Sequence, residues 1–510
     1  MQRKIINLCK RPLGYARGDI RDGDGCLKLI FFIYVDPLNP GSLFTLVNAI
    51  SNDIIVALAT PHGTGAIAVI RLSGKGSLDL CDTVFYSKEL QPRPVSDKAS
   101  HTIHFGIIKD GEIIIDEVLI SVFKNPHSYT GEDVAEISCH GSSFIQQQLL
   151  HLFVRKGARL AEPGEFTLRA FMNGKMDLSQ AEAVADLIAS SSVTSHEIAM
   201  QQMRGGFSSK IKILRENLVN FASLVELELD FSEEDVEFAD RDDLRQLIIS
   251  IQKVVQRLID SFEVGNVIKN GIPVAIVGKP NAGKSTLLNV LLEEEKAIVS
   301  EIPGTTRDAI EDEMNIDGIL FRFTDTAGIR ETQDAIEAIG VSKTFEKIKQ
   351  SSIIIYLFDV HELSRAELHL IIDELKKDIG ESQLLIVGNK IDKEDLAYTQ
   401  KEFSDFENIL FISAKERHGI DDLKQKLVHL FDSRTVNITE TIVTNVRHLQ
   451  ALQNTNVALE KVYEGLSKNI SGELLAVDIR NALHHLGLIT GQVTTDDLLA
   501  NIFGKFCIGK

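Results

Sequence analysis

Cysteine and long apolar segments are both scarce in this chain, and each shortage excludes a class of protein. Five cysteines occur among 510 residues, and no two of them form a CxxC pair. Cysteines this sparse are typical of a reducing compartment and argue against a disulfide framework or a zinc site. The sequence also lacks any run of about eighteen apolar residues, the length that predicts a transmembrane helix. We therefore expect a cytoplasmic protein.

Positive charge is also in short supply. The chain has 54 lysines and arginines against 73 aspartates and glutamates, which gives a net charge of −19. This balance argues against a general nucleic-acid binder, so an RNA substrate would require a local basic patch or a basic partner. The hydrophobic content of 44% is ample for a folded core. The length predicts roughly two to four domains.

A phosphate-binding loop is the most informative motif that is present. The letters GKPNAGKST, at 278–286, follow a short apolar run, which places a glycine-rich turn between a buried strand and a helix. Gly278 and Gly283 let the backbone curl until its N–H groups face phosphate oxygens. Lys284 reaches the outer phosphates, and the Ser285 hydroxyl can bind Mg²⁺. The helix that begins here also directs the positive end of its dipole at the phosphates. The motif therefore predicts nucleotide binding.

Two later motifs are typical of the switch regions of a GTPase. IPGTTRD contains Thr305 and Thr306 and can supply a threonine to Mg²⁺. DTAG, at 325–328, follows a strand-like segment, so its acidic residue can hold the magnesium shell while Gly328 donates its N–H to the terminal phosphate. In Ras-type GTPases, the residue that follows this motif is a glutamine that orients the attacking water. Here that residue is Ile329, which has no polar group to hold a water.

Two residues are candidates to replace the missing glutamine. Glu337 lies nine residues beyond Gly328, in a segment rich in acids and glycines. It is either a catalytic acid or a solvated acid of a mobile segment, and spacing alone favours the solvated acid. The side-chain oxygen of Asn281 can help to bind a monovalent cation. Such a cation would supply the positive charge that an arginine finger supplies elsewhere.

Two further motifs identify the base. In NKID, at 389–392, the Asp392 carboxylate can accept hydrogen bonds from the N1–H and amine of guanine, a donor pair that adenine lacks. The run at 413–415 completes the base pocket. The motifs together predict a Ras-like GTPase domain over 271–432. The predicted GTP-binding residues are Asn281, Ala282, Gly283, Lys284, Ser285, Thr286, Ser300, Glu301, Ile302, Pro303, Gly304, Thr305, Thr306, Asp325, Thr326, Ala327, Gly328, Asn389, Lys390, Ile391, Asp392, Ser413, Ala414 and Lys415.

The segments around the GTPase domain differ in character. Residues 1–48 mix Gly, Pro, Arg and Asp without sustained periodicity, and we expect them to be a disordered extension. Residues 49–173 have several strand-like runs and a helix near 143–155, which predicts an α/β domain. Apolar residues at three- and four-residue steps predict helices in 174–270 and again in 433–510. The simplest packing joins both helical segments into one bundle, with the GTPase domain inserted in it.

These motifs combine into a resemblance to the tRNA modification GTPase family called MnmE or TrmE, from about Asp53 to Lys510. The segments that carry this resemblance are ATPHGTGAIAVIRLSG at 59–74, SYTGEDVAEISCHG at 128–141, the GTPase motifs and the terminal CIGK. The resemblance implies a homodimer formed through an amino-terminal domain that binds a tetrahydrofolate one-carbon donor, either 5,10-methylene- or 5-formyl-tetrahydrofolate. It also implies a heterotetramer with an FAD-dependent, MnmG-like partner. Together they would add an aminomethyl or carboxymethylaminomethyl group to carbon 5 of the tRNA wobble uridine.

The resemblance also implies roles for single residues. Hydrolysis in the family depends on potassium, and the implied K⁺ ligands are Asn281, Ser300, Ile302 and Thr305. The implied Mg²⁺ ligands are Ser285 and Thr306. Glu337 aligns with the catalytic acid, which reverses the preference that spacing alone gave. The implied folate-binding residues are Arg71, Glu136, Lys175 and Lys510. The glycine-rich turn at 61–65 departs from the family pattern, which leaves the role of that turn open.

Cys507 has two possible roles. As a thiolate, stabilised by the nearby Lys505 and Lys510, it can add to carbon 6 of uracil and so make carbon 5 nucleophilic. Alternatively, it packs or orients the tail near the folate, since a lone cysteine is usually structural.

Two other functions are compatible with a GTPase domain. A ribosome-assembly GTPase would bind RNA as a switch, but this acidic chain shows no KH-type GxxG clamp in a basic setting after residue 415. A nucleotide-switched scaffold would perform no chemistry, and the folate-like domain and cysteine-bearing tail argue against it.

Overall fold

The computed structural model describes most of the chain after residue 52. The described residues are 53–230, 241–296, 311–325, 351–380, 382–393, 400–406, 408–432, 441–468 and 470–509. The predicted extension at 1–48 lies outside them. Within these ranges, no helix combines the length and the apolar character needed to cross a membrane.

The amino-terminal part is built on a seven-stranded sheet with the order β3-β4-β5-β6-β2-β1-β7. Neighbouring strands are antiparallel, except that β1 pairs parallel with β7. The strands are β1 Ile55–Leu58, β2 Ile67–Ser73, β3 Phe85–Tyr86, β4 Thr102–Asp110, β5 Ile113–Phe123, β6 Val134–His140 and β7 Arg159–Leu160.

One face of this sheet forms a hydrophobic core, and the other remains partly open. Helices α1 (Ser77–Asp82) and α2 (Ser143–Arg155) accompany the core face, where β6 contributes Ala135, Ile137 and Cys139. Because side chains alternate along a strand, Glu136 and its β2 partner Arg71 lie on the opposite face. The helix predicted near 143–155 is present over those residues.

The GTPase part is a six-stranded sheet with the order β13-β12-β11-β8-β10-β9. All of its pairs are parallel except the hairpin formed by β9 and β10. Its strands are β8 Ile272–Val277, β9 Glu311–Ile316, β10 Ile319–Asp325, β11 Ile353–Asp359, β12 Gln383–Asn389 and β13 Ile409–Phe411. The accompanying helices are α8 Lys284–Lys296, α9 Arg365–Asp378 and α10 Ile420–Asp432, with a 3₁₀ turn at Ile391–Lys393. Strands β8 and β11 are buried almost throughout, as expected when helices cover both faces of a parallel sheet.

The remaining helices come from both sides of the GTPase part in the sequence. They are α3 Glu165–Met172, α4 Leu178–Ala189, α5 Val193–Met203, α6 Gly206–Asp230, α7 Arg241–Asn270, α11 Val446–Ser467, α12 Gly472–Thr490 and α13 Asp496–Phe503. A single core contains the apolar stripes of α6, α7, α11 and α12, for example Leu218, Ile251, Leu459 and Ile479. The predicted stripes therefore pack against one another across the two helical segments.

The end of the chain returns to the amino-terminal sheet. Phe503 and Phe506 pack with Leu178 of α4. Beyond them, Gly509 lies so close to β1 that an added Cβ would be 2.2 Å from the Leu58 carbonyl oxygen. Gly509 also has a φ of +97°, a backbone conformation that glycine adopts without strain. The tail is thus held against the first strand of the sheet.

Candidate functional site

The phosphate-binding loop joins β8 to α8 at the carboxyl end of the parallel strands. Gly283 has a φ of +98°, and a Cβ there would lie 2.2 Å from Nδ2 of Asn389. At Gly278 a Cβ would lie 2.0 Å from the Leu357 carbonyl oxygen. Both positions therefore require glycine, because a side chain at either one would collide with a neighbouring strand end. The result is a tight backbone cradle at the start of a helix.

Lys284 folds back over the cradle that it follows. Its Nζ donates hydrogen bonds to the carbonyl oxygens of Gly278 (2.9 Å) and Lys279 (3.0 Å). Asn281 is exposed on the loop with a φ of +67°, and Ser285 is exposed at the start of α8. These groups form a basic, hydroxyl-bearing surface that fits a nucleotide phosphate and its Mg²⁺.

Asn389 connects the phosphate loop to the predicted base pocket. It is 2% exposed at the end of β12, and its Nδ2 donates to the Ala282 carbonyl oxygen at 2.8 Å. Its Oδ1 accepts from the backbone N–H groups of Lys390 (2.8 Å) and Ala414 (3.0 Å). One amide thus fixes three separate predicted motifs relative to one another.

Asp392, the predicted guanine-selecting residue, is held from the neighbouring loop. The buried Ser413 hydroxyl donates to its Oδ1 at 2.7 Å. Ser413 Oγ also accepts from the Glu416 N–H at 3.3 Å, and its backbone pairs with His418. Lys415 is exposed and lies beside Glu416. The two base motifs therefore meet, although 21 positions separate Ser413 from Asp392.

Asp359, which no motif indicated, lies at the same edge of the sheet. It ends β11, is 6% exposed, and places Oδ2 at 2.7 Å from Nζ of Lys390. Burial would raise the pKa of Asp359, but hydrogen bonds from Lys390 and the His361 N–H hold that pKa below its usual value. An acidic residue directly after a buried strand was the available signal.

Several predicted nucleotide and metal residues lie outside the described residues. They are Ser300, Glu301, Ile302, Pro303, Gly304, Thr305, Thr306, Thr326, Ala327, Gly328 and Glu337. Asp325 is the last residue of β10, so its backbone ends the strand that pairs with β8. The described part of the nucleotide site is therefore the phosphate loop and the base pocket.

A second cluster surrounds Arg71 on the amino-terminal sheet. Its Nε donates to Oε1 of Glu136 at 2.8 Å, its cross-strand partner. The guanidinium carbon lies 5.5 Å from the ring centroid of Tyr129 and 5.6 Å from that of Phe166. Because Phe166 is fully buried, the cluster offers a ligand a cation, a carboxylate and the partly exposed ring of Tyr129, which suits a charged, planar molecule.

Of the other predicted folate residues, Lys175 contacts the loop that carries Tyr129, and Gly509, the neighbour of Lys510, contacts Arg71. Lys175 Nζ donates to the Pro126 carbonyl oxygen at 2.9 Å, on the same loop that carries Tyr129. Arg71 donates to the carbonyl oxygen of Gly509 at 3.3 Å. Lys510 itself lies outside the described residues. Residues as far apart in the chain as Arg71 and Gly509 thus meet at one place.

Cys507 is exposed, unlike Cys81 and Cys139. Its carbonyl oxygen lies 3.5 Å from the Gly164 N–H, at the start of α3. Burial raises the pKa of the Cys139 thiol to about 11, so that thiol remains protonated at neutral pH.

Sequence reasoning missed a buried ionic cluster next to the folate candidates. Arg169 is 4% exposed and contacts Asp53 Oδ1 at 2.7 Å, Glu165 Oε1 at 3.0 Å and Glu132 Oε2 at 3.3 Å. It fastens α3, which bears Phe166, to Asp53, two residues before β1. No short motif marks this cluster, because its members come from three segments that are far apart in the sequence.

A phosphate loop after a buried strand, with an Asn-Lys-x-Asp motif at the end of another parallel strand of the same sheet, defines a GTPase of the P-loop class. Two family models together match most of the chain. A family model described as "MnmE helical domain" matches residues 178–507, and one described as "GTP-binding protein TrmE N-terminus" matches 54–175.

Curated relatives match over nearly their full lengths. The chain is 59% identical over 459 residues to "tRNA modification GTPase MnmE" of Cytophaga hutchinsonii, covering 90% of this chain and 98% of the relative. It is 56% identical over 463 residues to the protein of the same description in Flavobacterium psychrophilum, covering 90% of this chain and 100% of the relative. The chain belongs to the MnmE family of tRNA modification GTPases, which confirms the resemblance stated above.

Proposed function

We propose that the protein is a potassium-dependent GTPase that modifies the wobble uridine of tRNA. The observation that carries the nucleotide part is the buried Asn389 amide. It holds Ala282 of the phosphate loop, Lys390 of the base motif and Ala414 of the second base loop in one arrangement. With Asp392 held by Ser413, this arrangement offers guanine a carboxylate and offers phosphate a glycine-rich cradle.

The described residues fit the ions that we propose. Ser285 would contribute a hydroxyl to Mg²⁺, and Asn281 an amide oxygen to K⁺, with the remaining proposed ligands at Ser300, Ile302, Thr305 and Thr306. When bound, the two cations supply positive charge to the phosphates. Equal hydrolysis rates in potassium and sodium at matched ionic strength would contradict the potassium proposal. Asn281→Ala should remove the difference between the two salts while GTP still binds.

The amino-terminal cluster is proposed as the site of a tetrahydrofolate one-carbon donor. Folates carry a glutamate tail and a pterin ring whose amine donates hydrogen bonds. Arg71, Lys175 and Lys510 would attract the carboxylates, while Glu136 would accept from the pterin amine and the partly exposed ring of Tyr129 would cover a flat surface. The folate, when bound, supplies the one-carbon unit for the modification.

We further propose a homodimer through the amino-terminal sheet. Cross-strand pairing places Phe105 and Leu119 on the same face as Glu136, where they are 37% and 43% exposed. Ile67 and Ile103 on that face are 67% and 66% exposed. Burial of this apolar face by a second copy would stabilise association. Leu119→Glu should give a monomer in light scattering, whereas Leu370→Glu, at an exposed leucine of α9, should not.

The family resemblance implies a partner for the proposed reaction. An FAD-dependent, MnmG-like protein would join the homodimer in a heterotetramer. Together they would place an aminomethyl or carboxymethylaminomethyl group on carbon 5 of the wobble uridine. The proposed division of the chain is 49–173 for folate and dimerisation, 174–270 and 433–510 for the helical domain, and 271–432 for the GTPase inserted in it.

Mass spectrometry of tRNA nucleosides from cells that lack the protein tests this proposal directly. We expect the carbon-5 modifications of the wobble uridine to disappear and to return with a plasmid-borne copy. Unchanged wobble uridines would instead favour a ribosome-assembly GTPase.

A further inference from the structure

Asp359 and His361, at the end of β11, contact the two ends of Lys390, its side-chain ammonium group and its backbone carbonyl. Asp359 Oδ2 lies 2.7 Å from Lys390 Nζ, and His361 Nε2 lies 3.2 Å from the Lys390 carbonyl oxygen. Since a carbonyl can only accept, the ring nitrogen is the donor in that contact. The Val360 N–H also donates to the Asn389 carbonyl oxygen at 3.3 Å. Three consecutive residues of one strand end thus contact two consecutive residues of the base motif.

We propose that Asp359 and His361 are positioning residues for guanine nucleotides, acting through Lys390. The inference rests on the guanine-nucleotide binding proposed above and adds two residues to it. Asp359 directs the lysine side chain, so that its aliphatic stem lies along the edge of the base pocket. His361 holds the backbone from which Asp392 continues.

The backbone of Lys390 explains why such support is needed. Its φ is +70°, a left-handed conformation that is strained for a residue other than glycine. A residue in that conformation persists when its surroundings hold it. Here the Asn389 Oδ1 holds the Lys390 N–H, His361 holds the carbonyl, and Asp359 holds the ammonium group.

The carboxylate of Asp359 is itself fixed in place. Besides Lys390 it accepts the His361 N–H at 3.0 Å on Oδ1, so its two oxygens have different partners. It is 6% exposed, whereas Lys390 is 28% exposed. The buried partner therefore sets the position of the more exposed one. A lysine with no such anchor would lose more side-chain freedom when a nucleotide binds.

The test measures binding of a fluorescent GDP analogue to the full-length protein carrying Asp359→Asn. Asparagine has the same shape and still accepts the His361 N–H, so the fold should be retained. We expect Kd to rise about tenfold, mainly through faster dissociation. In steady-state hydrolysis, KM for GTP should rise while kcat stays unchanged. Asp405→Asn is the matched control, because Asp405 pairs with Arg365 and His369 in the same domain.

A double-mutant cycle separates positioning from a purely structural role. In a Lys390→Met background, which keeps the aliphatic stem, Asp359→Asn should change Kd by less than about twofold, because its partner is gone. His361→Ala should raise Kd in both backgrounds, since it acts on the backbone. An unchanged Kd for Asp359→Asn, or its full effect in the Lys390→Met background, would overturn the inference. The GDP affinity of the unsubstituted protein tests the proposed function separately.

Discussion

The two candidate ligand regions of this protein are assembled in opposite ways. In the GTPase part, each motif is a short continuous stretch at the end of a buried strand, and a single amide, Asn389, joins three motifs. At the amino-terminal sheet, Arg71 meets Glu136 across two strands and meets Gly509 across 438 positions of sequence. The first site depends on the local geometry of one sheet, whereas the second depends on the packing of the whole chain.

This difference implies different sensitivities to substitution. A change in a strand-end motif should affect nucleotide binding and leave the remote tail in place. A change in the helices that carry the tail should affect the amino-terminal cluster and leave GDP affinity unaltered. The following predictions test that separation, beginning with the largest expected effect.

Asp392→Asn should lower GTP affinity by about 10³-fold and favour xanthosine triphosphate instead. An amide offers one donor and one acceptor, which matches the carbonyl that xanthine carries where guanine has an amine. Competition binding with the two nucleotides measures the change. Asp422→Asn, at an exposed site on α10, should bind GTP normally. Undiminished GTP preference in the first variant would show that Asp392 does not read the base.

Glu337→Ala should lower kcat for GTP hydrolysis by about 10²-fold, as expected for the loss of a positioned general base. Glu337 lies outside the described residues, so this prediction rests on the resemblance alone. Single-turnover hydrolysis measures the rate, and GDP affinity should stay within about twofold of the parent. Normal turnover would return Glu337 to a solvated acid.

Arg71→Ala should weaken binding of 5-formyl-tetrahydrofolate about tenfold or more, because it removes a charge-assisted hydrogen-bond donor and leaves Glu136 without its partner. Calorimetry on the full-length protein provides the affinity. Arg155→Ala is the control, because Arg155 is an exposed arginine that pairs with Asp110 on the same domain. Equal heats of folate binding for the parent and Arg71→Ala would place the folate elsewhere. Neither Arg71→Ala nor Arg155→Ala should change the affinity for GDP.

A site made of adjacent residues can be predicted from the sequence more completely than one assembled from distant residues. Strand, turn and helix around Gly278 and Lys284 could be placed because the chemistry requires adjacent residues. Strand β4 was not predicted from the sequence. Its Ile103 and Phe105 are exposed, and the strand is defined by its pairing with β5, which lies further along the chain. The contact between Arg71 and Gly509 could be expected only from the family resemblance. Asp359 was missed because a single acid after a strand carries no motif.

Glu182→Gln should destabilise the helical region without altering GDP affinity. Oε2 of Glu182, on α4, lies 2.7 Å from a guanidinium nitrogen of Arg447 and 2.7 Å from Nε2 of His448, both on α11. Burial would raise the pKa of Glu182, but the contacts with His448 and Arg447 lower it from 4.5 to about 2. Burial also lowers the pKa of His448, so the permanently charged Arg447 is the partner that holds the carboxylate ionised at neutral pH. The carboxylate therefore contributes stability above pH 4.5, and this contribution is lost as the pH falls towards 2.

The expected loss for Glu182→Gln is about 3 kcal/mol of unfolding free energy at pH 7, since one partner of a buried ion pair is removed. Thermal unfolding at pH 7 and at pH 3.5 measures it, and the difference between parent and variant should shrink at the lower pH. Glu464→Gln, which breaks an exposed pair with Lys468 on α11, should have little effect at either pH. A constant difference across the pH range would show that shape, not charge, is responsible.

Cys507→Ser should have the smallest effect on the molecule and the most informative effect on its chemistry. The thiol is exposed, and the tail is held by backbone contacts of Gly509 and by the buried rings of Phe503 and Phe506, so folding and GTP hydrolysis should match the parent. Iodoacetamide should label Cys507 in the native protein and spare the buried Cys81 and Cys139. Mass spectrometry of tRNA from cells carrying only the serine variant then separates the two roles. Loss of the wobble modification with normal GTP hydrolysis would identify the thiol as chemical, since serine is a poor nucleophile towards uracil. Retained modification would rule out covalent attack and leave the tail as a structural wall of the folate site.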